Sequence, residues 1–381
     1  MVGWGAVRVI DLDTRILPFG DRVGDLLCLD RTFETFAAQQ LEASDVAPAR
    51  ATRADYAFAS APIWSAFAAK ARGPSALAVP VGSPLAKYLA VSGARRDGDR
   101  FVLDLFLDAP EGDLETVRAA CAPVDVDIDV TLRRRELIRV GPPPHHIDLV
   151  DDGVLAMHVE HWVHVLWLWP ALVRRLQKRP TKNVIGDNVQ IHPSARVEGS
   201  VIGDNVQIGA SCSIEGSFIG AGCQLSDFTK CRYAVLGRDT HTLADASFSE
   251  MVALGGGTLT NLGFADSVLG HDVFLTTGVI FWNEQLDGTV FVDHGGASVD
   301  TGRKELGGCA GHGSVLGART ILAPGRALPN RTTVVMRKEE SVFAIHDAPP
   351  GTPMIWHEGA MVPVADVAPD YVPEEIAEEL A

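Results

Sequence analysis

The sequence predicts two unlike halves: an α/β domain over residues 1–152 and an all-β parallel solenoid over 181–340, joined by a helix at 153–180. Three observations carry this. The octapeptide VIGDNVQI occurs at 184–191 and returns at 201–208. An Ile/Leu-Gly pair recurs at 185–186, 202–203, 219–220 and 236–237, one step of 17 residues each time. Before that run, segments with strand character alternate with segments of helical spacing.

In the first half, AVRVIDLD (6–13) reads as a buried strand. TFETFAAQQLEAS (32–44) and PIWSAFAAKARG (62–73) space their apolar residues for helices, the second with Pro62 near its start, where a missing N–H is tolerated. SALAVPV (75–81) and RFVLDLFLD (100–108) read as strands, and VDVDIDV (124–130) alternates strictly, which predicts a strand with one wet face. Strands alternating with helices predict a mainly parallel sheet.

LAMHVEHWVHVLWLWPALVRRLQKRP (155–180) predicts one helix, or two meeting at Pro170. His158, His161 and His164 lie three apart beside Glu160, a spacing that drifts round a helix. The stretch is full of Trp and Val, so it predicts a packed docking helix rather than a zinc site.

From 181 onward the apolar positions fall six apart: Ile185, Ile191 and Val197, then Ile202, Ile208 and Ile214, then Ile219, Leu225 and Cys231. Neither 3.6 nor 2 gives such a period. A unit of one short strand, one tight turn and one inward branched side chain does, and three units close a triangular coil. Coils stack at the ~4.8 Å spacing of paired strands. Gly and the pairs Asp187-Asn188 and Asp204-Asn205 fall where the backbone must turn. The beat loosens at Leu254-Gly255 and Leu269-Gly270, and WNEQLDGTVFVDHGGASVDTGRKELGG (282–308) breaks it. Leu316, Leu322, Leu328 and Val334 then restore it. Residues 282–308 should project from one edge as an arm that carries function or stabilises a trimer. Residues 341–381 form a cap, PPGTPMIWHEGAMVPV (349–364), and an acidic tail, DYVPEEIAEEL (370–380).

The 381 residues carry a formal charge of −16 and are 46% hydrophobic. That balance weighs against nucleic-acid binding and anionic membrane surfaces, but not against anionic small ligands. No secretory signal is legible in MVGWGAVRVIDLD, and the six cysteines form no CxxC pair. They read as reduced thiols in a cytoplasmic protein.

The hexapeptide beat resembles that of the hexapeptide-repeat transferases, and this resemblance implies a left-handed helix of strands and a homotrimer. The layout of α/β domain, helix and solenoid resembles sugar-1-phosphate nucleotidyltransferases fused to an acetyltransferase, such as the bifunctional N-acetylglucosamine-1-phosphate uridyltransferases. In the nucleotidyltransferase half the family's GxGTR phosphate loop is replaced by TRILPFGDRVGDLLCLDRT (14–32). Arg15 and Pro18 faintly echo the family pattern, and Asp55 could echo a metal-binding Asp. A degenerate domain is implied, with Mg2+ required only if it is active. In the acetyltransferase half, TLTNLG (258–263) and LGHDVFLTTGVIFWNEQLDG (269–288) match the family's pattern at Leu269-Gly270, Val273, Leu275, Gly278, Ile280 and Asn283. The family's catalytic His falls on Thr258 and its Tyr on Asn261, which makes Thr258, Asn261 and Asn283 candidate substrate-binding positions. Acyl transfer needs a base for the attacking amine or hydroxyl, and threonine cannot serve. Of the remaining histidines, His312 in GGCAGHGSVLG (307–317) ranks first and His271 second. His241 and His294 follow, and His192 reads as structural. A zinc site of the γ-carbonic anhydrase kind would need converging histidines, and these are scattered. The leading expectation is therefore acyl transfer from acyl-CoA, acetyl-CoA above all, to a sugar or nucleotide sugar. The alternatives are an inactive nucleotide-sugar-binding scaffold and a live nucleotidyltransferase.

Overall fold

The computed structural model describes residues 7–136, 146–150, 152–176, 182–260, 263–285, 287–335, 352, 354–357 and 360–367. The N-terminal sheet runs, in spatial order, through strands Arg8–Ile10, Ala51–Ala54, Arg100–Leu107, Ser75–Pro80 and Ala122–Asp125. The outer pairs are parallel, but Arg100–Leu107 lies antiparallel to both neighbours. The expected mainly parallel sheet is thus a mixed one. Its middle strand arrives from the exposed turn after Arg95–Asp97, with which it forms a hairpin. The alternating stretch 124–130 pairs as a strand only as far as Asp125, and strand pairing resumes at Leu132–Glu136, antiparallel to His146–Val150.

Helices α1 (Phe33–Glu42) and α2 (Ala61–Lys70) fall close to where the spacing puts them, and a third, α3 (Leu114–Ala120), is not expected from the sequence. Each begins at a polar residue. The Thr32 hydroxyl accepts from Thr35 N–H at the start of α1, and the Asp113 carboxylate accepts from Thr116 N–H at 2.8 Å before α3. Such caps satisfy donors that a helix leaves unpaired.

The connecting segment opens not as a helix but as a strand, Ala156–His158, paired antiparallel with Ala57–Ala59. Helix α4 (Trp162–Leu176) follows and carries Pro170 inside it as one element. His158, His161 and His164 are all buried. They belong to the packed junction, and the described residues contain no cluster of three or more potential metal ligands.

From Val184 to Val334 the chain forms three parallel sheets of eight, eight and seven strands, stacked one strand per coil. The first face opens with Val184–Ile185, the second with Gln190–Ile191 and the third with Arg196–Glu198. The six-residue beat selects the inward residues. Ile202, Ile208, Ile214, Ile219, Leu225, Cys231, Leu236, Leu269, Leu275 and Leu316 are buried in one continuous core. On the third face that core includes a column of aromatic rings, Phe248, Phe264 and Phe281, with centroids 6.0 and 5.5 Å apart.

The outward residues differ by face. On the first face the register joins Val201, Phe218, Val235, Val252, Val268 and Cys309, an apolar ladder. All six sit in the same core cluster as α4 and the N-terminal sheet. On the second face the corresponding ladder begins Gln190, Gln207, Gln224, His241. The N-terminal half therefore docks along the first face.

The arm at 282–308 does not project freely. It forms a hairpin, Phe291–His294 with Ala297–Asp300, and buries Val290, Val292 and Leu306 in the N-terminal core. The carbonyl of Asp293 lies 3.0 Å from His161 Nε2, and the Arg303 guanidinium stacks 4.3 Å from the Trp167 ring centre. The arm thus clamps solenoid, α4 and N-terminal domain together. Residues 354–357 and 360–363 of the expected cap form a hairpin followed by a short helix, Val364–Val367. The acidic tail at 370–380 lies outside the described residues.

Five cysteines, Cys121, Cys212, Cys223, Cys231 and Cys309, are free and buried. Burial pushes the Cys223 thiol up to about 12, so it is inert as a nucleophile at neutral pH. No helix among the described residues is long and apolar enough to cross a membrane.

Candidate active site at the domain–solenoid corner

The corner between the first and second faces is built from the turn after each first-face strand. On the sixth coil the first-face strand ends at His271 and on the seventh the turn carries His312, so the two leading histidines are stacked neighbours. Their rings lie 5.0 Å apart at 23°. Coil stacking explains the contact: 41 residues separate the two in sequence, but the arm between them is an insertion within one coil.

His312 is fixed at both nitrogens. Nδ1 accepts the backbone N–H of His271 at 2.7 Å, so it carries a lone pair, and the proton of the neutral ring sits on Nε2. Nε2 lies 2.8 Å from the Asp21 carboxylate and donates to it. The Phe19 ring packs 5.0 Å away. Gly270 makes the arrangement possible, because a Cβ there would sit 2.8 Å from His312 Nδ1 and 2.6 Å from its backbone nitrogen. The hydrogen bond from His312 holds the Asp21 carboxyl below the usual carboxylate range, against its partial burial.

His271 is half-buried and differently held. Burial and the neighbouring His312 lower it from the ordinary histidine value, against Asp21, Asp272 and the Gly255 carbonyl, which favour its charged form. It is therefore neutral at pH 7. A single nearby carbonyl can engage only one ring nitrogen, which leaves the other without a hydrogen-bonded partner among the described residues. Of the two histidines, His312 is thus hydrogen-bonded at both ring nitrogens, and His271 at no more than one.

The other candidates are elsewhere. Thr258 points outward on the second face between His241 and Phe274. Asn283 follows the third face at the base of the arm, where its side chain donates to Asp266 at 2.8 Å and its carbonyl accepts from Leu306 N–H. Asn261 lies outside the described residues. In the N-terminal half, Asp55 accepts from both the backbone N–H and the hydroxyl of Thr14, at 2.9 and 2.8 Å, and is buried as a turn anchor. Arg15 is held by Asp13 and the Gly20 carbonyl.

Asp21, Phe19 and Asn330 were not singled out by sequence. Asn330, on the eighth coil, accepts His312 N–H at 2.8 Å and donates to the Phe19 carbonyl. Residues 19–30 thus lie along the corner. Nothing in the sequence links Asp21 to His312, which is 291 residues away.

No curated protein matches the chain. Among solved structures, the polysialic acid O-acetyltransferase OatWY is 20% identical with a TM-score of 0.16, over 41% of this chain and 78% of that one. A mutant of perosamine N-acetyltransferase from Caulobacter crescentus, in complex with CoA and GDP-perosamine, is 15% identical with a TM-score of 0.14, over 43% of this chain and 57% of that one. The family model described as bacterial transferase hexapeptide (six repeats) matches residues 184–216, the first two coils of the solenoid, where the octapeptide repeats.

Proposed function

We propose that the protein is an acyltransferase of the hexapeptide-repeat class, moving an acyl group from acyl-CoA to a hydroxyl or amine of a sugar or nucleotide sugar. The observation that carries this reading is the histidine pair, with His312 locked and His271 neutral and holding a ring nitrogen free. The match at 184–216 supports the class. His271 takes the proton from the acceptor as its oxygen or nitrogen attacks the thioester carbonyl. The carbon–sulfur bond breaks, the acyl group passes to the acceptor, and the proton goes on to the departing CoA thiolate. A positioned base of this kind contributes roughly 10²–10⁴-fold, and holding thioester and acceptor in line supplies more.

A homotrimer fits the same reading. The first face is covered by the N-terminal half, and exposed apolar side chains gather on and between the other two: Phe228, Leu243, Phe274, Ile280, Trp282 and Ile321. Ile280 and Ile321 are register partners on the third face. Packing solenoids along that edge would bury them. Mg2+ enters only if the N-terminal half transfers nucleotides, and Asp55, engaged by Thr14, argues against that.

The test is calorimetric titration with acetyl-CoA, together with an assay for CoA thiol release over a panel of amino sugars and nucleotide sugars, on the wild type and His271→Ala. The expected result is saturable binding in both proteins and turnover in the wild type alone. Absence of binding to acetyl-CoA and longer acyl-CoAs would overturn the reading. Binding of nucleotide sugars without turnover would then favour the scaffold, and pyrophosphate release with Mg2+ the nucleotidyltransferase.

A further inference from the structure

We propose that Asp21, carried by the N-terminal domain, is a positioning residue for the histidine pair on the solenoid, so that one site is assembled from both halves of the chain. Its chemistry rests on the acyl-transfer reading above. Its geometry does not.

The segment from Asp13 to Thr32 follows the solenoid corner over several coils. Asp30 accepts the backbone N–H of Ala221 on the third coil at 3.4 Å, Asp21 meets His312 on the seventh, and the Phe19 carbonyl meets Asn330 on the eighth. Contacts at two coils would suffice for docking. The contact at Asp21 does something further, because it gives Nε2–H an acceptor and so reinforces the tautomer that the His271 N–H selects at Nδ1. With Nε2–H directed at Asp21, Nδ1 must face the backbone of His271 as an acceptor, and that bond fixes the turn from which the His271 ring projects. Without the carboxylate, Nε2–H loses its acceptor, and the His271 N–H alone is left to hold the ring and its tautomer.

Charge acts in the same direction. The groups facing His271 are Asp21 from the N-terminal segment, Asp272 from its own turn, His312 from the next coil and the Gly255 carbonyl from the previous one, while Arg15 faces Asp21 from behind. When His271 takes a proton, Asp21 and Asp272 favour the imidazolium. A carboxylate that orients one imidazole and stabilises positive charge on the pair does what the Asp of a catalytic triad does for a single ring.

The experiment uses full-length protein with 15N-labelled histidine, as wild type, Asp21→Ala and Asp21→Asn. In the wild type the ring nitrogens of His312 should show the fixed Nε2–H tautomer. Asp21→Ala should give a tautomer mixture at His312 and a lower titration midpoint at His271. Asp21→Asn, which keeps an acceptor without the charge and guards against misfolding of the alanine variant, should keep the tautomer and lower the midpoint. With turnover established, kcat should fall at least tenfold in Asp21→Ala with KM for acetyl-CoA unchanged, against the ~10²–10⁴-fold of the base itself. An unchanged His312 tautomer and an unchanged His271 midpoint in Asp21→Ala would overturn the proposal. If the wild type turns over no acyl-CoA, the acyl-transfer reading fails on its own, and the histidine spectra still decide whether Asp21 positions the pair.

Discussion

Single residues at the junction decide how the protein responds to acid. His164 is buried with Nδ1 accepting the backbone N–H groups of Glu160 and His161, and with Nε2 2.9 Å from the Ala90 carbonyl. Burial lowers His164 to about 4 and His161 to about 3, so both stay neutral in the native state where an unfolded chain would already bind protons near 6.5. Between those values the unfolded state holds more protons, so stability rises with pH and is lost as pH falls from about 6.5 towards 4. For His164 alone the shift corresponds to about 3 kcal/mol at the lower end. Melting temperature measured from pH 7.5 to 4 should fall steeply below 6.5. In His164→Gln the curve should be flatter, although lower throughout. A wild-type profile flat down to pH 4 would show that neither ring is held neutral.

At the scale of elements, the apolar first face binds the halves together. Val252 is fully buried between the solenoid and α4, with Val235 and Val268 beside it in register. A carboxylate placed there would be desolvated with no partner, at a cost of several kcal/mol before its pKa shifts. Val252→Asp should leave the solenoid folded and detach the N-terminal half. Calorimetry should then resolve two transitions in place of one, and limited proteolysis should cut near the junction. The inward columns were legible because side chains in steps of six, six and five repeat through three coils. The docking face left a quieter signal that the sequence reading did not use: the residue before each Ile/Leu-Gly pair is Val184, Val201, Phe218 or Val235, whereas Gln190, Gln207 and Gln224 precede the next inward residue. That contrast separates a covered face from a wet one. The sheet order was not legible, since alternation of strands and helices does not reveal a hairpin that reverses the middle strand. The histidine stack was hidden by the arm, which hides the coil spacing between His271 and His312. The Asp21 contact left no local trace at all.

For the whole molecule, the covered first face limits how copies can meet. The apolar edge left over includes Ile280 and Ile321 side by side, with Trp282 next along the chain. Ile321→Glu should reduce the mass measured by light scattering from trimer to monomer without a change in circular dichroism. A wild type that is already monomeric would refute the trimer.

The strap along the corner also dictates an order of events during synthesis. Asp21 leaves the ribosome almost 300 residues before His312 does, at a separation of 291. Until the seventh and eighth coils exist, Asp21 and the Phe19 carbonyl lack His312 and Asn330 as partners, although the sheet behind them can already form. Folding therefore ends where the chain began, and contacts of such high order are made late and slowly. The coil that completes the histidine pair is also the one that meets Asp21, so a chain that stops short of it gains neither the pair nor that contact.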